Sequence, residues 1–436
     1  MVMKPQKGRD SGFGIRGSQS PHPWFGLLRE LRNPNAQLCS SRRLPTPDSR
    51  LPTKVLPASL LLIQVLALAA CHKYAAAPVA YVAFVANRQS NSVAAVDMAR
   101  FRVIAEIPVA PAPEQLAARP ESHELYVTGA SGAIDIIRFP DLRVAKTLRV
   151  GPSARDLVFA PDGHRAFVLD PSEGQIVFLD CDAMKATGRA RVSSEARPQI
   201  GRLALTPDGK TLVVSNSGSD RLVFVSAESG QVLGSVEVGK APEALAILPD
   251  GSKVFVADTG EEKISAADVA SRQILSHLEI GSRPSWLLVK PDGGELFVFG
   301  RESATMTIVD AFHNNVEENR PTGRDPAAAV IKPDQSDLFV ANAGDGSVMV
   351  IEVETRTVLA STHAGAEPRA LALTPDARFL AVADSAESSL AILRVDPAAL
   401  KAVSANPRST RSLLLTTIPI GAQPVDVKIP GWLWSK

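Results

Sequence analysis

Short apolar runs alternate with turn-forming residues through most of the chain. The clearest unit covers residues 242–281, with apolar runs at 245–248 and 254–257 around a turn at Pro249-Asp250-Gly251. A polar turn at 258–261 and two further apolar segments, near 264–269 and 274–280, complete it. Asp-Gly between two β-rich runs favours a hairpin. The unit therefore predicts four short antiparallel strands.

The same unit recurs at a nearly constant period. Equivalent valines are separated by 41, 46, 42, 42, 42 and 42 residues, and they are Val127, Val168, Val214, Val256, Val298, Val340 and Val382. A period in the low forties with four strands per unit is typical of β-propeller blades. Within each unit we name the strands A to D from the propeller axis outward.

The ends of the repeat array predict how the ring closes. An extra B strand surrounds Val85, and an extra A strand covers residues 424–430. The chain therefore predicts an all-β propeller of eight four-stranded blades, in which the C-terminal strand completes the first blade. Closure removes sheet edges that would otherwise pair with other chains. Seven blades with one displaced unit is the alternative.

Two insertions interrupt the period. The third unit has four extra residues near 182–199, and the eighth has thirteen between Val395 and Leu413. Pro397 stands where it would begin one or two helical turns, because proline is favoured at the first helical position. Both insertions are expected in surface links.

The repeats resemble the YVTN family of β-propeller repeats. The resemblance rests on PDGKTLVVSN at 207–216, PDGSKVFVAD at 249–258 and PDQSDLFVAN at 333–342, and it extends over about 350 residues. It implies the propeller fold and no single activity. Related propellers include sugar lactonases, haem-carrying nitrite reductase domains, dehydrogenase subunits and plain binding scaffolds.

The N-terminal region has a different character. Residues 1–53 are rich in Pro, Ser, Gly and Arg, so we expect a disordered or wrongly assigned extension, with the true start near residues 51–56. Lys54 precedes an apolar run at 56–70, which suits a signal-peptide core. The run ends in Leu68-Ala69-Ala70-Cys71, which resembles the bacterial lipobox.

The lipobox resemblance implies a cellular localisation. Residues 54–70 are interpreted as a lipoprotein signal peptide, Cys71 as the acylated residue, 71–79 as a linker and 80–436 as the propeller domain. We therefore expect an exported protein, lipid-anchored in the bacterial cell envelope on the periplasmic side or at the cell surface. A secretory peptide with an incidental cysteine, or a tethering helix, is the alternative.

Charge and cysteine content exclude some functions. The net charge of +1 divides into +7 over residues 1–70 and −6 over the rest, whereas nucleic-acid surfaces need a basic stripe. Cys39, Cys71 and Cys181 have no metal-binding spacing. We predict no cofactor, no metal and no nucleic-acid partner. Cys181 is expected to be buried.

One face of the propeller is the candidate binding surface. The B–C and D–A links share this face, around the mouth of the central channel. Residues that follow the D–A links are Glu114, Arg155, Arg202, Glu243, Trp286, Arg369 and Asp426. Residues that end the B strands are Asn87, Asp170, Asn216, Asp258, Asn342 and Asp384, with Gly129 and Gly300 in the remaining slots. The strand-end residues have a second interpretation, because Asn and Asp also cap turns.

These residues favour binding over catalysis. Mixed charges and a tryptophan suit a polar ligand with an apolar part, or a protein loop. We therefore expect a monomeric, non-catalytic binding or scaffold protein with an unknown protein or polar small ligand as its partner. The alternative is a lactone hydrolase or a non-covalent haem or tetrapyrrole carrier.

Histidine placement is the main argument against catalysis. Five histidines of the array fall in A–B turns, outer strands or a C–D link, away from the mouth: His123, His164, His277, His363 and His313. No CxxCH haem attachment occurs. A lactonase would have to use charged residues of the mouth, namely Arg155, Arg369, Glu114 and Glu243.

Overall fold

The computed structural model describes residues 81–405 and 412–430. The expected extension, signal peptide, Cys71 and linker lie outside the described residues. Within them the chain forms 32 strands and one helix, α1 (Pro397–Ser404). The first sixteen strands are β1 (Val82–Asn87), β2 (Ser92–Asp97), β3 (Arg102–Pro108), β4 (Pro113–Ala118), β5 (Glu124–Gly129), β6 (Ala133–Arg138), β7 (Arg143–Arg149), β8 (Arg155–Phe159), β9 (Arg165–Asp170), β10 (Gln175–Asp180), β11 (Lys185–Arg191), β12 (Ile200–Leu205), β13 (Thr211–Asn216), β14 (Arg221–Ser226), β15 (Val232–Glu237) and β16 (Pro242–Ile247).

The remaining strands continue the same series. They are β17 (Lys253–Asp258), β18 (Lys263–Asp268), β19 (Gln273–Glu279), β20 (Pro284–Val289), β21 (Glu295–Gly300), β22 (Thr305–Asp310), β23 (Asn315–Pro321), β24 (Pro326–Ile331), β25 (Asp337–Asn342), β26 (Ser347–Glu352), β27 (Val358–His363), β28 (Pro368–Leu373), β29 (Phe379–Asp384), β30 (Ser389–Arg394), β31 (Leu414–Pro419) and β32 (Pro424–Lys428).

The strands form eight antiparallel four-stranded sheets, which are the eight blades. Blade one is β32-β1-β2-β3 from the axis outward, and each later blade takes the next four strands in order, from β4–β7 to β28–β31. The prediction of eight blades is confirmed, and the seven-bladed alternative is not what the described chain forms.

The ring closes through the C-terminal strand. β32 pairs antiparallel with β1, with Val427 opposite Val85 and Asp426 opposite Ala86. Three strands of the first blade thus come from the start of the array and the innermost strand comes from its end. This confirms the predicted closure.

Burial explains why the two middle strands of each blade are the most apolar. Both faces of a B or C strand pack against neighbouring blades, so β1 and β2 are buried at every position. The hydrophobic core consists of eight clusters, each between two adjacent blades. In the outer strands, solvent-exposed residues alternate with partly buried ones, as in β19. Cys181 is buried in the cluster between blades two and three, as expected.

The two insertions lie on the surface. Residues 192–199 connect β11 to β12. Helix α1 begins as predicted, with Pro397 in its first turn, and the Asp396 side chain caps it by accepting a hydrogen bond of 3.0 Å from the Ala399 N–H. The buried side chain of Leu400 anchors the helix to the core between blades seven and eight. Among the described residues, no helix has the length and apolarity needed to cross a membrane.

Candidate functional site

A cavity of about 670 Å³ opens where the inner strands of the blades begin, on the face with the B–C and D–A links. We call it the mouth cavity. It is lined by all seven residues that the sequence predicted to follow the D–A links, namely Glu114, Arg155, Arg202, Glu243, Trp286, Arg369 and Asp426. Repeat position therefore placed these side chains at one opening, because they occupy two adjacent positions at the start of the inner strands: Glu114, Arg155, Glu243 and Arg369 at the first, and Arg202, Trp286 and Asp426 at the second.

The cavity has two unlike sides. Blade three contributes Arg155 and Asp156, and blade seven contributes Ala327, Ala328 and Ala329. In a ring of eight blades, blades three and seven face each other across the axis. We call the side formed by Glu114, Gln115, Arg155, Asp156 and Arg202 the polar wall. The side formed by Trp286, Ala327, Ala328, Ala329 and Ala370 is the apolar wall.

Hydrogen bonds between blades order the polar wall. Asp426 Oδ2 accepts from the Leu116 N–H at 2.8 Å. In the same way, Gln115 Oε1 accepts from the Leu157 N–H at 2.8 Å and Asp156 Oδ2 from the Leu203 N–H at 3.1 Å. Each bond links the inner strand of one blade to the next, from blade one to blade four. Because these side-chain oxygens are engaged, the polar wall is held in one arrangement.

The series ends at blade four, since the equivalent slots then contain Arg202, Ala244, Trp286, Ala328 and Ala370. Among the described residues, no side chain accepts a hydrogen bond from the main-chain N–H of Leu245, Leu287, Ala329 or Leu371. In this slot blades five to eight consequently present only methyl groups and the Trp286 ring, with the paired arginines Arg301 and Arg369 beside them.

Most arginines of the cavity have carboxylate partners. Arg88 lies 3.0 Å from Glu114, and Arg301 lies 2.8 Å from Asp325. Arg202 contacts Asp156 at 2.8 Å, and this carboxylate raises the pKa of the Arg202 guanidinium. Arg369 pairs with Glu367. Pairing fixes these cations and neutralises much of their charge.

Arg155 differs from these arginines. Its side chain is half-buried in the lining, and no hydrogen bond or ion pair engages its guanidinium in the part of the chain that the structure describes. Its neighbour Asp156 is already committed to Arg202 and to the Leu203 N–H. Arg155 is therefore a cation at the cavity whose donors are available.

Burial affects the carboxyl of Asp426, at the same opening. It raises the pKa of Asp426 above the ordinary aspartate range, and the nearby Lys428 ammonium opposes the shift. Both carboxyl oxygens accept main-chain hydrogen bonds, Oδ2 from Leu116 and Oδ1 from Val427 at 2.8 Å. Asp426 thus serves the ring closure and has little capacity left for a ligand.

The six predicted strand-end residues do not line the mouth cavity. They are fully or almost fully buried: Asn87, Asp170, Asn216, Asp258, Asn342 and Asp384. Asn216 Oδ1 accepts from Gly218 N and Ser219 N at 3.1 and 3.2 Å, which is the predicted turn cap. Asp170 instead accepts from Ser153 Oγ at 2.9 Å, in the preceding D–A link. These side chains hold the links that surround the mouth.

In the second blade the strand-end position is Gly129, because the main chain of the D–A link passes too close for a side chain. A Cβ at this position would lie 2.1 Å from the Ala112 carbonyl oxygen. Here the D–A link occupies the space that an Asn or Asp side chain takes in other blades.

Asp258 is the buried end of a polar chain, missed by sequence reasoning, that runs through the buried Ser265 to the exposed His277. Ser265 Oγ donates to Asp258 Oδ2 at 2.7 Å and lies 2.8 Å from His277 Nδ1. Complete burial raises the pKa of Asp258 to about 7, although the Ser265 hydrogen bond opposes the shift. Ser265 and His277 are cross-strand partners in β18 and β19, so only the strand register reveals the contact.

Other missed residues reach the cavity from B–C turns. Arg88 follows Asn87 and Arg301 follows Gly300, and both line the cavity. Their position directly after a B strand was the available signal. The alanines of blade seven were missed because small apolar residues give no chemical signal in a sequence.

The described lining includes no histidine and no cysteine. In the part of the chain that the structure describes, no group of three or more His, Cys, Asp or Glu side chains is arranged to hold a metal ion. Ser285, at the cavity, donates to the Phe299 carbonyl at 3.0 Å, and its hydroxyl has no other hydrogen bond among the described residues. The arrangement is suited to binding, with an unpaired guanidinium on one side and small apolar side chains, flanked by paired arginines, on the other.

The fold and the mouth cavity define a closed β-propeller with one concave site on its axis. The family model described as "Lactonase, 7-bladed beta-propeller" matches residues 142–274 and 305–409, more than half of the sequence. The chain belongs to this family, although its own ring has eight blades.

Solved structures with the same fold have low sequence identity. One is a dihydro-heme d1 dehydrogenase, NirN, in complex with DHE: TM-score 0.67, 13% identity, 82% of this chain and 76% of that chain covered. Another is hydrazine synthase of Kuenenia stuttgartiensis: TM-score 0.50, 23% identity, 63% and 88% covered. A third is a functionally unknown protein from Desulfotomaculum acetoxidans: TM-score 0.53, 12% identity, 64% and 94% covered. No curated protein matches the sequence.

Proposed function

We propose that this protein is a non-catalytic binding protein whose mouth cavity holds a small polar molecule with an apolar part. The observation behind the proposal is the division of the cavity between a polar wall on blades two to four and an apolar wall on blades six to eight. A ligand with one polar and one apolar side would fill it without burying an unmatched group.

Cavity size favours a small molecule over a protein surface. Small-molecule sites are concave, and they enclose roughly 300 to 1,000 Å³ with a few placed polar groups. The mouth cavity, at about 670 Å³, lies within this range. A partner protein would have to insert a loop, which is the competing form of the binding hypothesis.

The proposal includes a cellular setting. Acylation at Cys71 would tether the propeller to a membrane of the bacterial cell envelope. The monomeric ring would then lie in the periplasm or at the cell surface. Metabolic labelling with an alkyne fatty acid tests this: wild-type protein should be labelled and a Cys71→Ala variant should not. Equal labelling of both would contradict the anchor.

Ligand capture tests the central claim. Protein is purified from envelopes of its host, and the small molecules released on denaturation are identified by mass spectrometry. Ala328→Trp fills the apolar wall. Ala270→Trp is the matched control, because Ala270 lies exposed in the C–D link of blade five. Wild type and Ala270→Trp should release the same compound, and Ala328→Trp should release at least tenfold less.

Two results would count against small-molecule binding. The first is equal release from all three proteins, which would place the compound elsewhere. The second is a protein crosslinked to the mouth of the wild type in intact envelopes and lost in Ala328→Trp, with no small molecule found. A released tetrapyrrole would instead identify the ligand class of the alternative carrier hypothesis.

A lactone hydrolase is the second candidate, because of the family and one further observation. Glu243 is exposed at the cavity and has no ion-pair partner among the described residues, so its carboxylate is available as a base. Acid release from a panel of sugar lactones should then depend on Glu243, with Glu243→Gln at least a hundredfold slower. Equal rates for the two proteins would exclude this role.

A further inference from the structure

We infer that the mouth cavity is selective for organic anions, with Arg155 binding the anionic group and the apolar wall binding a ring or chain. This inference rests on the proposed small-molecule site and deepens it, since it assigns the charge and orientation of the ligand.

The first argument is the state of the cations around the cavity. Arg88, Arg202, Arg301 and Arg369 each contact a carboxylate. Arg155 is half-buried and its guanidinium has no such contact within the described residues. A partly desolvated guanidinium without a counterion is unfavourable, and a bound anion would relieve it.

The second argument is the state of the anions. Asp156 is occupied by Arg202 and a main-chain N–H. Asp426 is occupied by two main-chain N–H groups. Glu114 is paired with Arg88. Both carboxylates of the polar wall, Glu114 and Asp156, are therefore committed to other groups, and the unpaired lining carboxylate Glu243, on blade five, is exposed to solvent. The guanidinium of Arg155 is left to pair with an anion supplied by a ligand.

The third argument is the opposite wall. Blade seven faces blade three and presents Ala327, Ala328 and Ala329, while Trp286 from blade six is 36% exposed at the edge of the cavity. Alanines leave space and offer only methyl groups, and a partly exposed indole provides a flat apolar surface. A ligand whose anion meets Arg155 would thus place its apolar part on this wall.

Guanidinium geometry sets the class of anion. Arginine donates two parallel hydrogen bonds to planar or tetrahedral oxyanions, so carboxylates, sulfonates and phosphates all satisfy it. Lys428, exposed further along the inner strand of blade one near Asp426, adds a second positive charge to the lining. A neutral molecule of the same shape would lack the charge attraction, and a cationic one would be repelled by both groups.

Two fluorescent probes with the same rings test the inference. 8-Anilinonaphthalene-1-sulfonate has one sulfonate, and N-phenyl-1-naphthylamine lacks it. We expect the sulfonate probe to bind wild-type protein at least tenfold more tightly than the neutral probe. Arg155→Gln should remove most of this preference, while Arg155→Lys should keep part of it. Arg189→Gln, on the exposed outer strand β11, is the control and should behave as wild type.

Ala328→Trp distinguishes failure of the anion assignment from failure of the proposed small-molecule site. Loss of both probes in Ala328→Trp with an unchanged preference in Arg155→Gln would overturn the anion assignment and leave the binding site intact. Undiminished binding of both probes to Ala328→Trp would overturn the site itself. Competition adds a second measure, in which benzoate should displace the sulfonate probe and benzylamine should not. Matching thermal melts would confirm that the variants are folded.

Discussion

Asp426 Oδ2 accepts a hydrogen bond of 2.8 Å from the main-chain N–H of Leu116, across 310 residues of sequence. Asp426 lies on the strand that closes the ring, and Leu116 lies on the inner strand of the second blade. Pairing with β1 holds the closing strand in its own blade, and the contact with Leu116 links it to the next blade.

Removing this acceptor should weaken the ring. Leu116 is almost fully buried, and a buried donor without a partner costs about 1–3 kcal/mol. We expect Asp426→Ala to lower the free energy of unfolding by this amount. Asp426→Asn retains a carbonyl acceptor and should lose less than about 1 kcal/mol. Urea unfolding measures both, and equal losses would show that the hydrogen bond is not the cause.

Truncation of the closing strand should expose a sheet edge. A chain ending at Gln423 lacks the partner of β1, whose free N–H and C=O groups would then pair with other molecules. We expect oligomers and aggregates by size-exclusion chromatography with light scattering. A chain ending at Pro430 keeps β32 and is the control. A monomeric, fully folded Gln423 truncation would contradict the closure argument.

Asp258 should make stability fall as pH rises. Its folded pKa, about 7, exceeds the unfolded value, so the folded state holds a proton that the unfolded state has released between about pH 4 and pH 7. Because of this group, the free energy of unfolding should be about 2–3 kcal/mol lower at pH 8 than at pH 5.

Asp258→Asn should therefore reduce the difference in stability between these two pH values by about that amount. Asn342→Ala, at the same slot of blade seven, changes no titratable group and should shift stability equally at both. If Asp258→Asn leaves the pH dependence of wild type unchanged, the Asp258 carboxyl does not titrate in this range.

The ion pair of Lys332 and Asp337 is buried, with an Nζ–Oδ2 distance of 2.6 Å and side chains 4% and 8% exposed. Lys332→Met leaves the Asp337 carboxylate without its counterion, so we expect a loss of about 3–5 kcal/mol. Replacing both partners, with Lys332→Met and Asp337→Leu, should recover most of it.

An exposed pair is the control for this prediction. Lys210 lies 3.8 Å from Asp208, and Lys210→Met should change stability by less than about 0.5 kcal/mol. Guanidinium unfolding of the wild type and these three variants gives the comparison. A double variant as unstable as Lys332→Met alone would mean that packing, and not charge, determines the cost.

Repeat position located much of the candidate site before any contact was known. Glu114 and Arg369 are more than 250 residues apart, yet the repeat gives them equivalent slots on inner strands, and both line the mouth cavity. The strand-end side chains shared a slot too, but burial placed them behind the lining. Sequence could not separate the two sets, because Asn and Asp serve equally as turn caps and as ligand-binding groups.

The sequence by itself determined the propeller, its eight blades, the closing strand and the helix beginning at Pro397, because each follows from local periodicity and turn chemistry repeated along the chain. Only the tertiary structure decided which groups at the mouth are free. The pairing of Arg202 with Asp156, the solitary guanidinium of Arg155 and the chain from Asp258 through Ser265 to His277 all depend on neighbouring strands and blades. Charge pairing and burial arise from distances in space, and a repeat period contains no information about them.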